Sequence, residues 1–371
     1  MTAEITLPGR SRPLLVSTPD WPVSGPPSVS RRVFAAAHVA ACPDGSIDWP
    51  ATLAFREHLW GLGFGVADAM DTAQRGMGLS WPRVRELVAA SGKRASAVGG
   101  LLACGAGTDQ LPDGTVSLAD IAAAYREQVD MVEAAGAQVI LMASRALART
   151  SDDAADYLQL YGQLIASTRE PVILHWLGDM FDPALAGYWG STDLTDAAET
   201  VLDIINAQPD RVDGIKVSLL DASREIALRR RLPPGVRLYT GDDFHYDDLI
   251  EGDEHGHSDA LLGAFAAIAR PAAAALRALD AGDVVGYRAA MTPTIPLARH
   301  IFAKPTYHYK AGIAFLAWLN GFQEHFVMLA DQHLARSTEH LARLFELAVT
   351  AGVLADPELA VERMSKLLSA P

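Results

Sequence analysis

Residues 211–218 read RVDGIKVS, a short apolar run that contains a single lysine. The β-branched residues predict a strand in which Val212, Gly214 and Lys216 share one face. Lysine is rarely buried unless it is paired or takes part in chemistry. An amine that is desolvated at a strand end has a lowered pKa and can attack a carbonyl group to form a Schiff base. A lysine that reaches solvent from the strand end is the alternative.

Runs of strand length recur along the chain on both sides of this stretch. Together with the opening stretch there are eight such runs, at 33–39, 63–70, 95–101, 137–143, 171–177, 212–217, 236–241 and 260–266. Segments with helical spacing lie between them at 49–60, 118–135, 152–166 and 193–206, and Asp48 and Ser117 are placed as N-caps. This alternation predicts an α/β fold of the (β/α)8 TIM-barrel class. A doubly wound sheet is the alternative, although no glycine-rich dinucleotide turn follows the first strand.

The chain divides into three predicted parts. Residues 1–30 contain six prolines and predict an extended arm without regular structure. Residues 31–270 form the barrel, and residues 271–371 form a helical extension that either caps the barrel or makes an oligomer interface. The helices predicted in this extension are 272–281, 284–302, 311–328, 337–351 and 357–368.

Composition limits the functional classes. The formal net charge of −14, without any basic run, argues against a nucleic-acid surface, and no apolar stretch has the length and composition of a membrane span. The N-terminus lacks a signal-peptide pattern, and the two cysteines, Cys42 and Cys104, imply no disulfide framework. We therefore expect a cytoplasmic protein with no nucleic-acid or membrane partner.

If the barrel is formed, the residues at the carboxyl ends of its strands are the candidate site. They are Asp71, Thr72, Ser144, Arg145, His175, Lys216, Asp242 and Asp243. One lysine, one histidine and several carboxylates suit acid–base chemistry around a carbonyl group. Each has a structural alternative, since His175 could be a hydrogen-bonded core residue and the aspartates could cap the segments that follow them.

Three segments carry a resemblance to a known family: PVILHWL at 171–177, VDGIK at 212–216 and LYTGDD at 238–243. In order and spacing they resemble strands of the dihydrodipicolinate synthase/N-acetylneuraminate lyase family of class I aldolases. That family has a proline-started apolar run ending in tyrosine-asparagine, then glycine-isoleucine-lysine, then serine-glycine-aspartate-aspartate. The likeness extends over residues 33–330 and looks like a divergent branch of the DUF993 type.

The resemblance implies that Lys216 forms the Schiff base, and two departures from the family pattern bear on the rest of the site. The family's carboxylate-binding turn, glycine-threonine-threonine-glycine-glutamate, is replaced by MDTAQ at 70–74, in which Asp71 would repel a carboxylate and accept hydrogen bonds from hydroxyls. The tyrosine pair that shuttles protons after strand four is replaced by Ser144 and Arg145. We therefore expect His175 to move protons, and Arg145 could bind a substrate carboxylate instead.

The expected function is that of a class I lyase or aldolase acting on a small-molecule keto-sugar or 2-oxo acid. Its predicted catalytic residues are Lys216 and His175, its predicted substrate-binding residues are Asp71, Thr72, Ser144, Arg145, Asp242 and Asp243, and no metal ligand is assigned. No cofactor is expected besides the covalent imine, and the resemblance favours a homo-oligomer, either a dimer or a tetramer. Two alternatives stay open. One is a metal-dependent barrel isomerase or hydrolase that uses His245, His255 and His257 in the acidic loop 242–259, and the other is a catalytically silent ligand-binding barrel.

Overall fold

The computed structural model describes residues 1–151 and 153–369 of the chain. Short strands are distributed from the N-terminus to residue 262. They are β1 (Thr2–Ile5), β2 (Leu14–Ser17), β3 (Val33–Ala36), β4 (Gly65–Asp68), β5 (Leu102–Ala106), β6 (Gln138–Leu141), β7 (Val172–Leu177), β8 (Val212–Ser218), β9 (Arg237–Thr240) and β10 (Asp259–Leu262). Strands β3 to β10 close a parallel barrel in which each strand pairs with the next and β10 pairs with β3. The predicted (β/α)8 TIM barrel is confirmed.

Helices follow the barrel strands in alternation, as the sequence predicts. They are α1 (Trp49–Gly61), α2 (Trp81–Val98), α3 (Leu118–Ala134), α4 (Arg145–Thr150), α5 (Ala154–Ser167), α6 (Leu194–Ala207), α7 (Ala222–Arg229) and α8 (Tyr246–Glu251). Both predicted N-caps are confirmed, because Asp48 accepts from the Ala51 N–H and Ser117 forms a reciprocal capping box with Asp120. Asp152, the first residue of one predicted helix, lies outside the described residues.

Two predicted strands are placed wrongly. Residues 95–98 belong to α2, where the spacing of Val84, Leu87, Val88 and Ala95 builds one buried helical face. Gly99 ends that helix in the left-handed conformation, at φ 67°, and the true strand begins at Leu102. The predicted strand 260–266 ends at residue 262, because the alanine-rich residues beyond it form a helix.

Residues 1–30 contain regular structure, contrary to the prediction. Strands β1 and β2 pair in antiparallel fashion, from Thr2 opposite Ser17 to Ile5 opposite Leu14. Pro8 and Pro13 lie in the connection between the two strands, where a missing N–H group costs no ladder hydrogen bond.

The described residues beyond 262 contain helices and no strand, which confirms the prediction made for residues 271 onward. They hold α9 (Ala264–Ala267), α10 (Ala269–Asp280), α11 (Val284–Met291), α12 (Ile295–Ile301), α13 (Tyr309–Leu319), α14 (Thr338–Thr350) and α15 (Pro357–Ser369). The helix predicted over 284–302 is broken by a 3-10 turn at Thr292–Thr294. The helix predicted over 311–328 ends at Leu319, two residues before Gly321 adopts φ 79°.

The chain forms two compact units. One comprises Met1–Val66, Asp71–Leu79 and the described residues from Leu262 on, and the other comprises Ala67–Met70 and the described residues of Ser80–Leu261. In the first unit the N-terminal hairpin packs on α14 and α15, with an ion pair of 2.9 Å between Arg10 and Glu346. In the second unit the core includes Val172, Ile173, Leu174 and Ile215, all without solvent exposure. The predicted boundaries at residues 30 and 270 stay a prediction.

No described helix has the properties of a membrane span. Over residues 1–151 and 153–369, none combines the length and the apolar character that a bilayer crossing needs.

Candidate active site

Lys216 lies on β8, between the neighbouring barrel strands β7 and β9. Its Cα pairs with His175 on β7 and with Tyr239 on β9. Residues in register on parallel strands project to the same side of a sheet, so the lysine and histidine side chains are neighbours. Lys216 is 8% exposed and His175 is fully buried. Burial, and then the charge of Lys216, hold the pKa of His175 well below its ordinary range, so this imidazole is neutral near pH 7.

Two glycines leave room for the side chains on this face. A Cβ atom at Gly241 would lie 2.9 Å from Lys216 Cε and 2.8 Å from the Val217 carbonyl oxygen, and it would collide with Ser218 Oγ. A Cβ atom at Gly214 would lie 2.7 Å from the Tyr239 ring. The absence of a side chain at Gly241 therefore allows the Lys216 side chain to pass the end of β9.

An ionic network joins the starts of strands β8, β9 and β10. Arg237 contacts Asp213 at 2.8 Å and Asp259 at 3.2 Å. The Tyr239 hydroxyl donates to the second oxygen of Asp213 at 2.5 Å. These contacts fix the three strands relative to one another. No local sequence pattern predicts this network.

The turn after β9 is organised by Asp242. This residue is 1% exposed, and its Oδ1 accepts from the N–H groups of Phe244 at 2.9 Å and His245 at 3.2 Å. Its Oδ2 lies 2.9 Å from His245 Nδ1. Asp242 therefore caps the turn, which is the structural alternative to substrate binding, and direct contact of Asp242 with substrate stays a prediction. Asp243, also predicted to bind substrate, is 4% exposed.

Ser144 begins a buried network of hydroxyl groups. Its Oγ lies 2.5 Å from Thr108 Oγ1, and its backbone N–H donates to the Tyr188 hydroxyl at 3.0 Å. The Tyr161 hydroxyl lies 2.9 Å from that of Tyr188. Burial raises the pKa of both tyrosines well above the ordinary range, so their hydroxyls stay protonated. Tyrosines therefore reach the end of β6 from α5 and from the segment after β7, and no local pattern around Ser144 signals this.

Arg145 is engaged with another side chain. Its Nε lies 2.5 Å from Asp182, and its side chain is 49% exposed. The carboxylate of Asp182 balances the charge of this arginine. Binding of a substrate carboxylate by Arg145 would have to compete with that ion pair.

Asp71 and Thr72 lie in the other compact unit, in a 3-10 turn after β4. Asp71 is partly exposed, whereas Thr72 is buried, and its Oγ1 lies 2.8 Å from the Tyr309 hydroxyl. The Tyr309 ring stacks on Phe302 with ring centroids 4.4 Å apart, and Lys310 Nζ lies 4.6 Å from the Tyr309 ring centroid. The C-terminal helices thus supply the partner of Thr72, and no sequence pattern near Thr72 signals this contact.

The acidic loop after β9 is held by arginines. Asp253 contacts Arg229 at 2.8 Å and Arg230 at 3.0 Å. In the parts of the chain that the structure describes, no three or more histidine, cysteine or acidic side chains converge as a metal site would require. The metal-dependent alternative therefore gains no ligand set from this loop.

Glu225 of α7 carries a buried carboxyl group that contacts the end of β9 and the residue before β10. It accepts from Thr240 Oγ1 at 3.0 Å and from Ser258 Oγ at 2.8 Å. Burial raises its pKa to about 8. Glu225 is therefore largely protonated at neutral pH.

Comparison with solved structures identifies the same fold in enzymes of one family. A candidate dihydrodipicolinate synthetase from Pseudomonas aeruginosa is 20% identical with a TM-score of 0.68, covering 86% of this chain and 99% of its own. YagE from Escherichia coli K12, a prophage protein of the dihydrodipicolinic acid synthase family in complex with pyruvate, is 14% identical with a TM-score of 0.67, covering 88% and 100%. Dihydrodipicolinate synthase from Thermotoga maritima is 15% identical with a TM-score of 0.66, again covering 88% and 100%.

The resemblance expected from the sequence is thus confirmed at the level of the fold. No curated protein matches the chain. One family model, described as "Protein of unknown function (DUF993)", matches residues 9–371. Because that match extends over nearly the whole sequence, the chain belongs to the DUF993 family, and its barrel has the fold of the dihydrodipicolinate synthase structures.

Proposed function

We propose that this protein is a class I lyase or aldolase that makes or breaks a carbon–carbon bond in a keto-sugar or 2-oxo acid through a Schiff base on Lys216. The observation that carries the proposal is the buried lysine of β8 in register with the buried His175. The fold neighbours support it, since they bear the names of dihydrodipicolinate synthases and one is in complex with pyruvate.

The chemistry needs an amine in its neutral form. Lys216 Nζ attacks the carbonyl carbon, the carbonyl oxygen leaves as water, and the protonated imine that remains withdraws electrons from the neighbouring bonds. When a carbon–carbon bond next to the imine breaks, its electron pair moves onto the imine nitrogen. Lys216 is 8% exposed, so the imine forms in surroundings that are largely shielded from solvent.

His175 is assigned a hydrogen-bonding role beside the imine. Within the described residues, neither of its ring nitrogens has a hydrogen-bond partner. A buried polar atom without a partner costs roughly 1–3 kcal/mol, so a substrate oxygen or a water that enters beside Lys216 would be stabilised here. His175 stands where the family's strand carries its tyrosine, and a neutral imidazole can donate at one nitrogen and accept at the other.

The substrate we favour is polyhydroxylated. Arg145 is already paired with Asp182, and Asp71 replaces a threonine that the family uses for a carboxylate. Both features weaken recognition of a carboxylate and suit hydroxyl groups. Binding roles for Asp71, Thr72, Ser144, Arg145, Asp242 and Asp243, a cytoplasmic location and a dimeric or tetrameric assembly belong to the same proposal.

Borohydride trapping with simple carbonyl compounds tests the proposal. The protein is incubated with pyruvate, 2-oxobutyrate or dihydroxyacetone, reduced with sodium borohydride and measured as intact mass. We expect one reduced adduct per chain in the wild type and none in Lys216→Met. Lys310→Met is the matched control, because Lys310 is the other buried lysine among the described residues, at 4% exposure, and its loss should leave the adduct unchanged.

Two outcomes would replace the proposal with one of the alternatives. Thermal stabilisation by these carbonyl compounds without any adduct would indicate a silent binding barrel. Turnover that survives in Lys216→Met and is abolished by EDTA would indicate a metal-dependent enzyme.

A further inference from the structure

The turn after β9 holds a histidine against a buried carboxylate. His245 Nδ1 lies 2.9 Å from Asp242 Oδ2. A carboxylate only accepts hydrogen bonds, so this pairing assigns the proton of the neutral ring to Nδ1 and leaves Nε2 as an acceptor. The backbone N–H groups of Phe244 and His245 hold the other carboxylate oxygen. Carboxylate and ring are therefore fixed relative to the same backbone.

Capping alone does not account for this arrangement. The cap of the turn is made by Oδ1, which accepts both backbone N–H groups, and it needs nothing from the His245 ring. The second oxygen contacts that ring. Asp242 is 1% exposed, whereas the His245 side chain is 36% exposed. A buried carboxylate behind a partly exposed imidazole fixes the orientation of the ring and presents Nε2 as its proton-accepting atom.

The turn starts against the side chain of Lys216. The Gly241 N–H donates to the Val217 carbonyl at 2.8 Å, and a Cβ atom at Gly241 would lie 2.9 Å from Lys216 Cε. Asp242 follows Gly241 directly, and Lys216, Asp242 and His245 belong to the same compact unit. Asp242 is thus the direct chain neighbour of the residue that borders Lys216, and His245 follows three residues later in the same turn.

We infer that His245, positioned by Asp242, is the catalytic acid and base of the reaction at Lys216; this inference rests on the proposed Schiff-base function. In the imine, His245 Nε2 takes a proton from the carbon next to the imine carbon. The C–H electron pair forms a carbon–carbon double bond, and the π pair of the protonated imine moves to nitrogen, giving an enamine. The enamine carbon then attacks a second carbonyl group, whose π pair moves to its oxygen and takes the proton of the imidazolium while the nitrogen pair re-forms the protonated imine. Alternatively, the enamine carbon regains the proton from the imidazolium.

The cleavage direction uses the same residue. His245 removes the proton of the substrate hydroxyl, the O–H pair forms a carbonyl group, and the carbon–carbon bond breaks with its electrons moving to the imine nitrogen. The imidazolium then protonates the enamine carbon. His175 does not suit this cycle, because its burial beside Lys216 opposes the imidazolium form. The two histidines therefore divide the work, with His175 as a neutral hydrogen-bonding group and His245 as the proton carrier.

Exchange of the methyl protons of pyruvate in D2O tests this inference separately from imine formation. Exchange is followed by proton NMR, and borohydride trapping is measured on the same samples. In His245→Gln we expect trapping within twofold of the wild type and exchange slowed by roughly 100-fold or more, the typical contribution of a general acid–base group. His255→Gln is the control, because that side chain is 57% exposed in the next loop, and both rates should be unchanged.

Asp242→Asn tests the positioning role. We expect exchange to slow by about tenfold or more relative to the trapping rate of the same variant, and the pH profile of exchange to move, which loss of a cap alone would not cause. Exchange at the wild-type rate in His245→Gln, loss of trapping together with exchange, or a wild type that traps pyruvate without exchanging its protons would each overturn the inference. A wild type that does not trap any carbonyl compound overturns the proposed function itself.

Discussion

The most demanding prediction concerns Gly241, because its missing side chain leaves the space that Lys216 occupies. The backbone of Gly241 does not have a positive φ, so alanine is allowed there by conformation and is excluded by space alone. A Cβ atom would press on Lys216 Cε at 2.9 Å and on the Val217 carbonyl at 2.8 Å, and it would collide with Ser218 Oγ. Lys216 Cε cannot move without displacing the lysine side chain, and the Val217 carbonyl oxygen cannot move without shifting the end of β8.

Gly241→Ala should therefore damage both stability and reactivity. Overpacking of this kind costs about 1–3 kcal/mol of unfolding free energy. A displacement of the reactive amine by about 1 Å can reduce the rate by about 100-fold. Urea unfolding measures the first effect, and the rate of borohydride trapping with pyruvate measures the second.

Two control variants separate the effect of the collision at Gly241 from that of a glycine substitution in general. At Gly162 in α5, a Cβ atom would meet only Gln208 Nε2, at 3.9 Å, so Gly162→Ala should be neutral or stabilising by up to about 1 kcal/mol. Adding Ser218→Ala to Gly241→Ala removes the worst collision and should restore part of the trapping rate. Wild-type stability and trapping in Gly241→Ala would refute the idea that Gly241 makes room for the lysine.

Three further predictions concern groups around the site. Glu225→Gln should flatten the pH dependence of stability. Because the pKa of Glu225 is raised to about 8 in the folded protein, the wild-type carboxyl stabilises the fold at low pH, and this contribution, on the order of a few kcal/mol, is lost as the pH rises from about 4.5 to 8. Urea unfolding at several pH values across this range measures the difference. Tyr309→Phe should cost about 1 kcal/mol through loss of the hydrogen bond to Thr72, whereas unchanged stability would mean that the pair contributes nothing. Arg237→Met should lower the melting temperature by removing the cationic group that contacts Asp213 and Asp259, and an equal melting temperature would contradict a structural role for the network.

The features that the sequence predicted well are those that depend on residue type and spacing within a short segment. The period of strands and helices predicted the barrel, and Lys216 stands out because a lysine interrupts an apolar strand. Residues 95–98 were assigned wrongly because a buried helical face and a strand both give a short apolar run, and only the left-handed Gly99 separates them.

The partners of site residues were not predictable, because they come from distant parts of the chain. Tyr188 reaches Ser144, and Tyr309 reaches Thr72 from the C-terminal helices. These contacts depend on tertiary packing, and one sequence does not specify which distant hydroxyl will fill the space. Asp242 and His245 are three residues apart, so this pair was within reach of sequence analysis, but the surrounding acidic loop suggested metal binding instead.

Peptide mapping shows which lysine carries the covalent intermediate that we propose for Lys216. The wild-type protein is reduced with borohydride in the presence of each carbonyl compound, digested and sequenced by tandem mass spectrometry. We expect the reduced adduct on the peptide that contains Lys216, with Lys310 unmodified. An adduct confined to other lysines, or no adduct with any carbonyl compound on fully folded protein, would contradict the proposed mechanism.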